Sequence, residues 1–240
     1  MVFSALACVL GAAFSAVVWG RWARSRRAAF AAWGVGLAIF SAAALTQAIG
    51  QANGFSVPLF RAFYLLGGVL GVIYLALGTV FLMAPQRVAR ISAVVLGVLT
   101  VIIAADAAVV PVNAAKLTTA AGVLGTALVG HGTPLFVAAV TFNILGTMVL
   151  VGGSGWSAIR FSRKHAGADQ VLCNGLLTAG ALVVAAGFSL AKTVGGTLAQ
   201  LGIAESIGIT VMFVGFLSLG RVGSRAAAPA RSASGPRPRG

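Results

Sequence analysis

Residues 59–84 read LFRAFYLLGGVLGVIYLALGTVFLMA and contain one charged residue, Arg61. At a helical rise of about 1.5 Å per residue, a helix of this length can cross a hydrocarbon core of about 30 Å. Its apolar side chains cover every face of the helix and leave no polar stripe to face water. The stretch therefore predicts a membrane-spanning helix and not the amphipathic helix of a soluble protein.

Comparable apolar stretches recur along the whole chain, separated by charged clusters or by Pro and Gly residues. They are too long for the strands of a membrane β-barrel and do not alternate polar with apolar residues. We predict seven spans, at 2–20, 28–49, 59–84, 91–110, 134–157, 171–193 and 203–220. Residues 1–220 are thus expected to form an all-α domain, the seven-transmembrane-helix bundle of a polytopic integral membrane protein.

The composition of the 240-residue chain agrees with this class. Hydrophobic side chains make up 59% of the chain and charged ones only 8%, whereas about a quarter of the residues of a typical soluble domain are charged. The formal net charge is +14. A charge this positive would indicate nucleic-acid binding in a soluble domain, but the apolar content indicates a lipid bilayer as the partner and no nucleic acid.

The cations predict how the chain is threaded through the bilayer. Cytoplasmic loops carry an excess of Lys and Arg. Of the 17 Lys and Arg residues, 14 follow the first, third, fifth or seventh span and so share one side. The N-terminus is therefore predicted outside and the C-terminus in the cytoplasm, in the plasma membrane of a bacterial-type cell. The 14 are Arg21, Arg24, Arg26, Arg27, Arg87, Arg90, Arg160, Arg163, Lys164, Arg221, Arg225, Arg231, Arg237 and Arg239.

Two segments fall outside the seven spans. Residues 117–130 are apolar but short, and counting them as a span would move the cations that follow the fifth span to the outer side. We therefore predict an interfacial or re-entrant segment at the outer face. Residues 221–240 are rich in Ala, Ser, Pro, Gly and Arg, a composition that cannot bury a core. They are predicted to form a disordered, basic cytoplasmic tail.

Ionisable residues within membrane spans are costly, and they are functional candidates by default. The predicted threading collects Arg61, Asp106, Lys192 and Glu205 near the outer ends of their spans, and Tyr64 follows Arg61 by one helical turn. We predict that these five residues line an outward-facing polar pocket for a small solute or ion. The alternative is that Arg61–Asp106 and Lys192–Glu205 are ion pairs that fasten helix ends.

Deeper in the predicted spans, Asn143 and Thr100 are expected to form hydrogen bonds between helices. Gly67, Gly71 and Gly78 lie on or near one face of the third span. Small residues at this spacing allow helix backbones to approach closely. They favour tight packing within the molecule or, alternatively, a homo- or hetero-oligomer formed through the Gly-rich face.

The sequence contains no catalytic motif, and we predict that the protein is not an enzyme. His131 and His165 are predicted on opposite sides of the membrane, as are Cys8 and Cys173, so neither a metal site nor another cofactor is expected. Two functions stay open: a small-solute or ion transporter or sensor that uses the outer pocket, and a structural or accessory subunit of a larger membrane complex.

Overall fold

The computed structural model describes residues 1–130, 132–163, 168–193 and 196–226. Long helices make up most of these residues, and the β-type pairing among them is one isolated bridge between Val112 and Leu128. The all-helical prediction is confirmed. The long helices are α1 (Val2–Ser25), α2 (Ala28–Asn53), α3 (Val57–Met83), α4 (Gln86–Val109), α5 (Pro134–Arg163), α6 (Ala168–Thr193) and α7 (Leu198–Ala226).

Six of these helices, α1 to α5 and α7, are long and apolar enough to cross a membrane. Helix α6 coincides with the predicted sixth span, and the apolar stretch described within it is the shorter Leu172–Phe188. Helix α7 extends to Ala226, beyond the predicted boundary at residue 220. Residues 227–240, the rest of the predicted tail, lie outside the described residues.

The two ends of the bundle differ in their residues, and we name them accordingly. The loop end carries the α2–α3 connection and the α4–α5 loop, residues 110–133. The arginine end carries the α1–α2 connection with its basic residues. Gln51 near the end of α2 donates to the carbonyl of Leu198 at the start of α7, at 2.9 Å. At the arginine end, Arg21 near the end of α1 lies 4.2 Å from the ring centre of Phe216 in α7.

Helices α6 and α7 pack antiparallel through small residues along most of their length. A Cβ atom added to Gly215 would contact Leu176, one added to Gly208 would contact Val184, and one added to Gly187 would contact Ala204. Such close backbone approach is typical of membrane helix pairs that have Gly and Ala at their interface. The two helices therefore extend through the same depth of the bundle.

Helix α3 contains a π-helical stretch, Tyr64–Leu70, in its middle. The wider turn is stabilised from α5, where the side-chain Nδ2 of Asn143 donates to the carbonyl of Gly68 at 2.5 Å and to that of Ala139 at 2.7 Å. The predicted hydrogen bond between helices at Asn143 is thus present. Single π-helical turns inside α-helices are frequent at functional sites, and this one lies beside a cavity.

The α4–α5 loop folds back on the bundle without forming a long helix. It contains a short 3₁₀ turn, Ala114–Thr118, and a π turn, Gly122–Thr126. The backbone N–H of Asn113 donates to the carbonyl of Ala127 at 2.8 Å, and this bond holds the two arms of the loop together. The segment predicted at 117–130 thus lies at the loop end of the bundle.

Candidate functional site

A cavity of about 700 Å³ lies between helices α2, α3, α5, α6 and α7. Small-molecule sites in proteins occupy roughly 300–1,000 Å³, so its size is that of a ligand site. Most of its wall is apolar, with Phe40, Leu75 and Val184 among the lining residues. Among the lining residues the polar side chains are those of Asn143, Thr147 and Glu205.

The cavity reaches the outer surface of the bundle beside α5. Two of its lining residues on α5, Ile144 and Met148, are 55% and 67% exposed. Nearer the arginine end, α5 and α6 share a core through Leu150 and Ala181. The cavity thus borders exposed apolar residues of α5, the kind of surface that contacts lipid in a membrane-spanning bundle.

The α4–α5 loop covers the cavity at the loop end. Leu124 of this loop is buried with Ala191 of α6 and Leu201 of α7, and Phe188 packs against them. Phe188 and Leu201 also line the cavity. The apolar contact of Leu124 therefore separates the cavity from the loop end of the bundle.

Glu205 places a carboxyl group at this apolar wall. It shares one face of α7 with Leu201, Ile209 and Met212, which also line the cavity. Its Oε2 atom is buried and has no hydrogen-bond partner among the described residues. Leaving a buried polar group unsatisfied costs about 1–3 kcal/mol, and ionisable groups in membrane helices normally have partners. Among the described polar groups of the cavity, the Glu205 carboxyl is therefore the one that would gain most from a hydrogen-bond partner.

Arg61 binds the backbone at the end of another helix. Its guanidinium donates to the carbonyl of Ala108 at 2.6 Å and to that of Val110 at 2.8 Å. These carbonyls close α4, where the helix dipole favours a positive charge. In the structure Arg61 thus acts as a C-terminal cap, supplied by the neighbouring helix α3.

Asp106 binds the start of α5. Its Oδ2 accepts a hydrogen bond from the backbone N–H of Leu135 at 2.8 Å, and Thr133 accepts one from Phe136 at 3.3 Å. A carboxylate at a helix N-terminus satisfies a free N–H group and complements the dipole. Arg61 and Asp106, both among the described residues, form no ion pair within 4.0 Å, so the alternative prediction of that pair is wrong.

Tyr64 belongs to the apolar core at the loop end. Only 3% of its surface is exposed, and its ring centre lies 5.6 Å from that of Phe60. The α4–α5 loop packs on it at Gly125, where an added Cβ would lie 3.2 Å from the Tyr64 hydroxyl. Gly125 also has a φ of 129°, a conformation that glycine adopts without strain.

The five predicted pocket residues thus divide into separate environments. Glu205 lines the cavity, whereas Arg61, Tyr64 and Asp106 do not. The side chain of Lys192, like the whole of His131, lies outside the described residues. In the antiparallel register of α6 and α7, Gly187 is opposite Ala204, which places Lys192 more than one turn nearer the loop end than Glu205. A ligand-binding role for the other four stays a prediction.

Sequence reasoning missed the apolar cavity and the position of Asn143 and Thr147 on its wall. Their spacing of four residues puts both on one helix face, which is a signal that the sequence contains. The cavity itself depends on how five helices diverge, and no local pattern reports that. Within the described ranges, no group of three His, Cys, Asp or Glu side chains is arranged to hold a metal ion.

No family model, curated protein or solved structure matches this chain. Its own helices define its class: six of those described are long and apolar enough to span a bilayer, so the protein is a multi-pass integral membrane protein. Within this class, it is a helical bundle with a cavity that borders exposed residues of α5 and has one carboxyl group among its described lining residues.

Proposed function

We propose that the protein binds a small, lipid-soluble molecule in the cavity between α2, α3, α5, α6 and α7, and that it acts as a transporter or sensor of that molecule. One observation carries this proposal: Glu205 lines a cavity of about 700 Å³, and its buried Oε2 has no hydrogen-bond partner among the described residues. A ligand would supply the missing partner.

The character of the wall supports a lipid-soluble ligand over the polar solute that the sequence first indicates. A polar solute in this cavity would leave most of its hydrogen-bonding groups unsatisfied, at a cost of roughly 1–3 kcal/mol for each group. An apolar body would lose little, because Phe40, Val184 and Met212 are on the wall. The ligand therefore resembles the surrounding lipid more than it resembles water.

We further propose that the chain crosses the membrane seven times, with the arginine end in the cytoplasm and the N-terminus outside. The antiparallel packing of α6 along α7 supports α6 as a seventh span, because a helix that follows a spanning helix through its whole depth also spans. The basic residues of the α1–α2 connection support the orientation. A bacterial-type plasma membrane fits the same distribution of charge.

The second candidate, a subunit of a larger membrane complex, is supported by helix α4. This helix lies at the edge of the bundle, and Val94 and Val101 on it are 68% and 71% exposed. Gly67 and Gly78 of α3 support it less, because they face α2 within the molecule: a Cβ on Gly67 would lie 3.2 Å from Ala43. Co-purification of other subunits in a mild detergent would favour this second candidate.

Photolabelling in lipid nanodiscs tests the first candidate. The probe is a ten-carbon alcohol with a diazirine group on its chain, and the labelled sites are mapped by mass spectrometry of peptides from α5. Ala185 lines the cavity, whereas the adjacent Ala186 is exposed. Ala185→Trp is therefore expected to suppress labelling of Thr147 and Val151, and the matched variant Ala186→Trp is expected to leave it unchanged. Equal labelling in both variants would overturn the proposal.

A further inference from the structure

The ionisable group on the cavity wall narrows the class of ligand. Of the described residues that line the cavity, Glu205 is the one with an ionisable side chain. We propose that the occupant is an amphipathic amine: an apolar body that fills the cavity and one ammonium or other N–H donor head group that binds the Glu205 carboxyl. This proposal rests on the proposed function and adds the chemistry of the head group.

Two described basic side chains at the loop end are bonded elsewhere. Arg61 donates to two backbone carbonyls at the end of α4. Lys116 in the α4–α5 loop donates to the carbonyl of Thr126 at 3.3 Å. No ion pair or hydrogen bond to the Glu205 carboxyl is found among the residues that the structure describes. The carboxyl therefore remains free to bind a cation or donor from a ligand.

Asn143, another of the three polar side chains on the wall, does not offer the same chemistry. The Nδ2 of Asn143 already donates to the carbonyls of Gly68 and Ala139, which holds the π-helical stretch of α3 in place. A ligand that took these hydrogen bonds would leave the carbonyl of Gly68 without this donor. Glu205 is therefore the group that selects the head group, and selection should favour positive charge over negative charge.

Glu205 lies near the loop end of the cavity, a position that fits a ligand whose head group is at one end of an apolar body. Glu205 follows Leu198, the first residue of α7, by seven positions, which corresponds to about 10 Å along the helix axis. Between Glu205 and the loop end, Leu201 and Phe188 close the cavity. Toward the arginine end, the wall continues through Ile209 and Met212. An apolar body of several carbons thus has room below the head group.

Three photoactivatable probes test the inference. Each has the same ten-carbon chain and diazirine, and the head groups are a primary amine, an alcohol and a carboxylic acid. Labelling is measured on peptides from α5. Labelling of α7 would change whenever its own Glu205 carboxyl is substituted, whatever the ligand does. Each value is divided by the labelling of Val94 and Val101, the exposed residues of α4, which corrects for different partition into the lipid.

The amine is expected to label the cavity about tenfold more than the alcohol, the ratio that one charge-assisted hydrogen bond provides. The acid should label less than the alcohol. In Glu205→Gln, labelling of α5 by the amine and by the alcohol should differ by less than about twofold. Glu205→Asp should still be labelled more by the amine than by the alcohol. Ala185→Trp should suppress labelling by all three probes.

The failure of this inference and the failure of the proposed function give different results. If no probe labels α5 above the α4 reference, the cavity takes no ligand and both are overturned. If the three probes label the cavity equally in the wild-type protein, the proposed function stands and the amine specificity is overturned. This comparison needs no variant, so it holds even where Glu205→Gln fails to fold.

Discussion

At the scale of single residues, Asp106 and Arg61 bind the ends of helices. Asp106 lies in α4 and accepts a hydrogen bond from the N–H of Leu135 in the first turn of α5. Asp106→Ala should lower the free energy of unfolding by about 1 kcal/mol, the usual effect of removing a group that caps a helix N-terminus. Asp106→Asn keeps an acceptor and should lose less. Thermal unfolding in mild detergent measures both.

Photolabelling separates this structural role of Asp106 from the predicted role in ligand binding. Since Asp106 does not line the cavity, Asp106→Asn should leave labelling of α5 by the alcohol probe unchanged. A loss of labelling in a folded Asp106→Asn protein would contradict this expectation and would support a role for Asp106 in ligand binding.

A second prediction at this scale concerns the stabilising role of Arg61 at the end of α4. Its two hydrogen bonds hold the carbonyls of Ala108 and Val110 at 2.6 and 2.8 Å. Hydrogen bonds to charged groups contribute about 1.5–3 kcal/mol, so Arg61→Ala should lower the free energy of unfolding by about 2 kcal/mol. Arg61→Lys keeps the charge but not the planar fork, and should restore about half of the loss. Equal stability of the Lys and Ala variants in detergent unfolding would contradict this role.

At the scale of elements, the packing of α3 on α2 depends on Gly78. The ring of Trp33 in α2 occupies the space where a Cβ atom of Gly78 would lie, and its Nε1 donates to the carbonyl of Leu75 at 3.0 Å. Gly78→Ala should displace the ring, weaken this hydrogen bond and cost about 1–3 kcal/mol, as overpacking does.

Gly97 in α4 is the matched control for Gly78. It also lies inside a helix, but apart from its own helix backbone no atom of a described residue lies within 4 Å of its added Cβ. Gly97→Ala should be neutral or stabilising by up to about 1 kcal/mol because alanine favours helix. If both variants lowered the melting temperature equally, close packing at Gly78 would not be the cause.

The elements themselves were largely predictable, and the site was not. Continuous apolarity placed each long helix within a few residues, because a segment must be apolar to span a bilayer. Helices α5 and α7 extend past their predicted ends, to Arg163 and Ala226, because backbone hydrogen bonding continues after apolarity stops. Charge alone suggested that Arg61 and Asp106 pair, but it takes no account of the free backbone groups at helix ends that bind them instead.

At the scale of the whole molecule, the threading can be tested with single cysteines. In a protein with Cys8→Ala and Cys173→Ala, the exposed Ser25 and Asn53 mark the arginine end and the loop end. A membrane-impermeant maleimide on intact cells should label Asn53→Cys but not Ser25→Cys. With seven spans, Gly240→Cys should also be protected until the cells are opened. Labelling of Gly240→Cys together with Asn53→Cys would contradict the seven-span threading.

The central claim is that the cavity beside Glu205 holds a ligand within the membrane. The most direct test is the amount of alcohol probe attached to Thr147 and Val151 in nanodiscs, relative to Val94 and Val101 on the lipid-facing surface of α4. We expect labelling above this reference in the wild-type protein and in Ala186→Trp, and at or below it in Ala185→Trp. Labelling in the wild-type protein no higher than the α4 reference would contradict the claim.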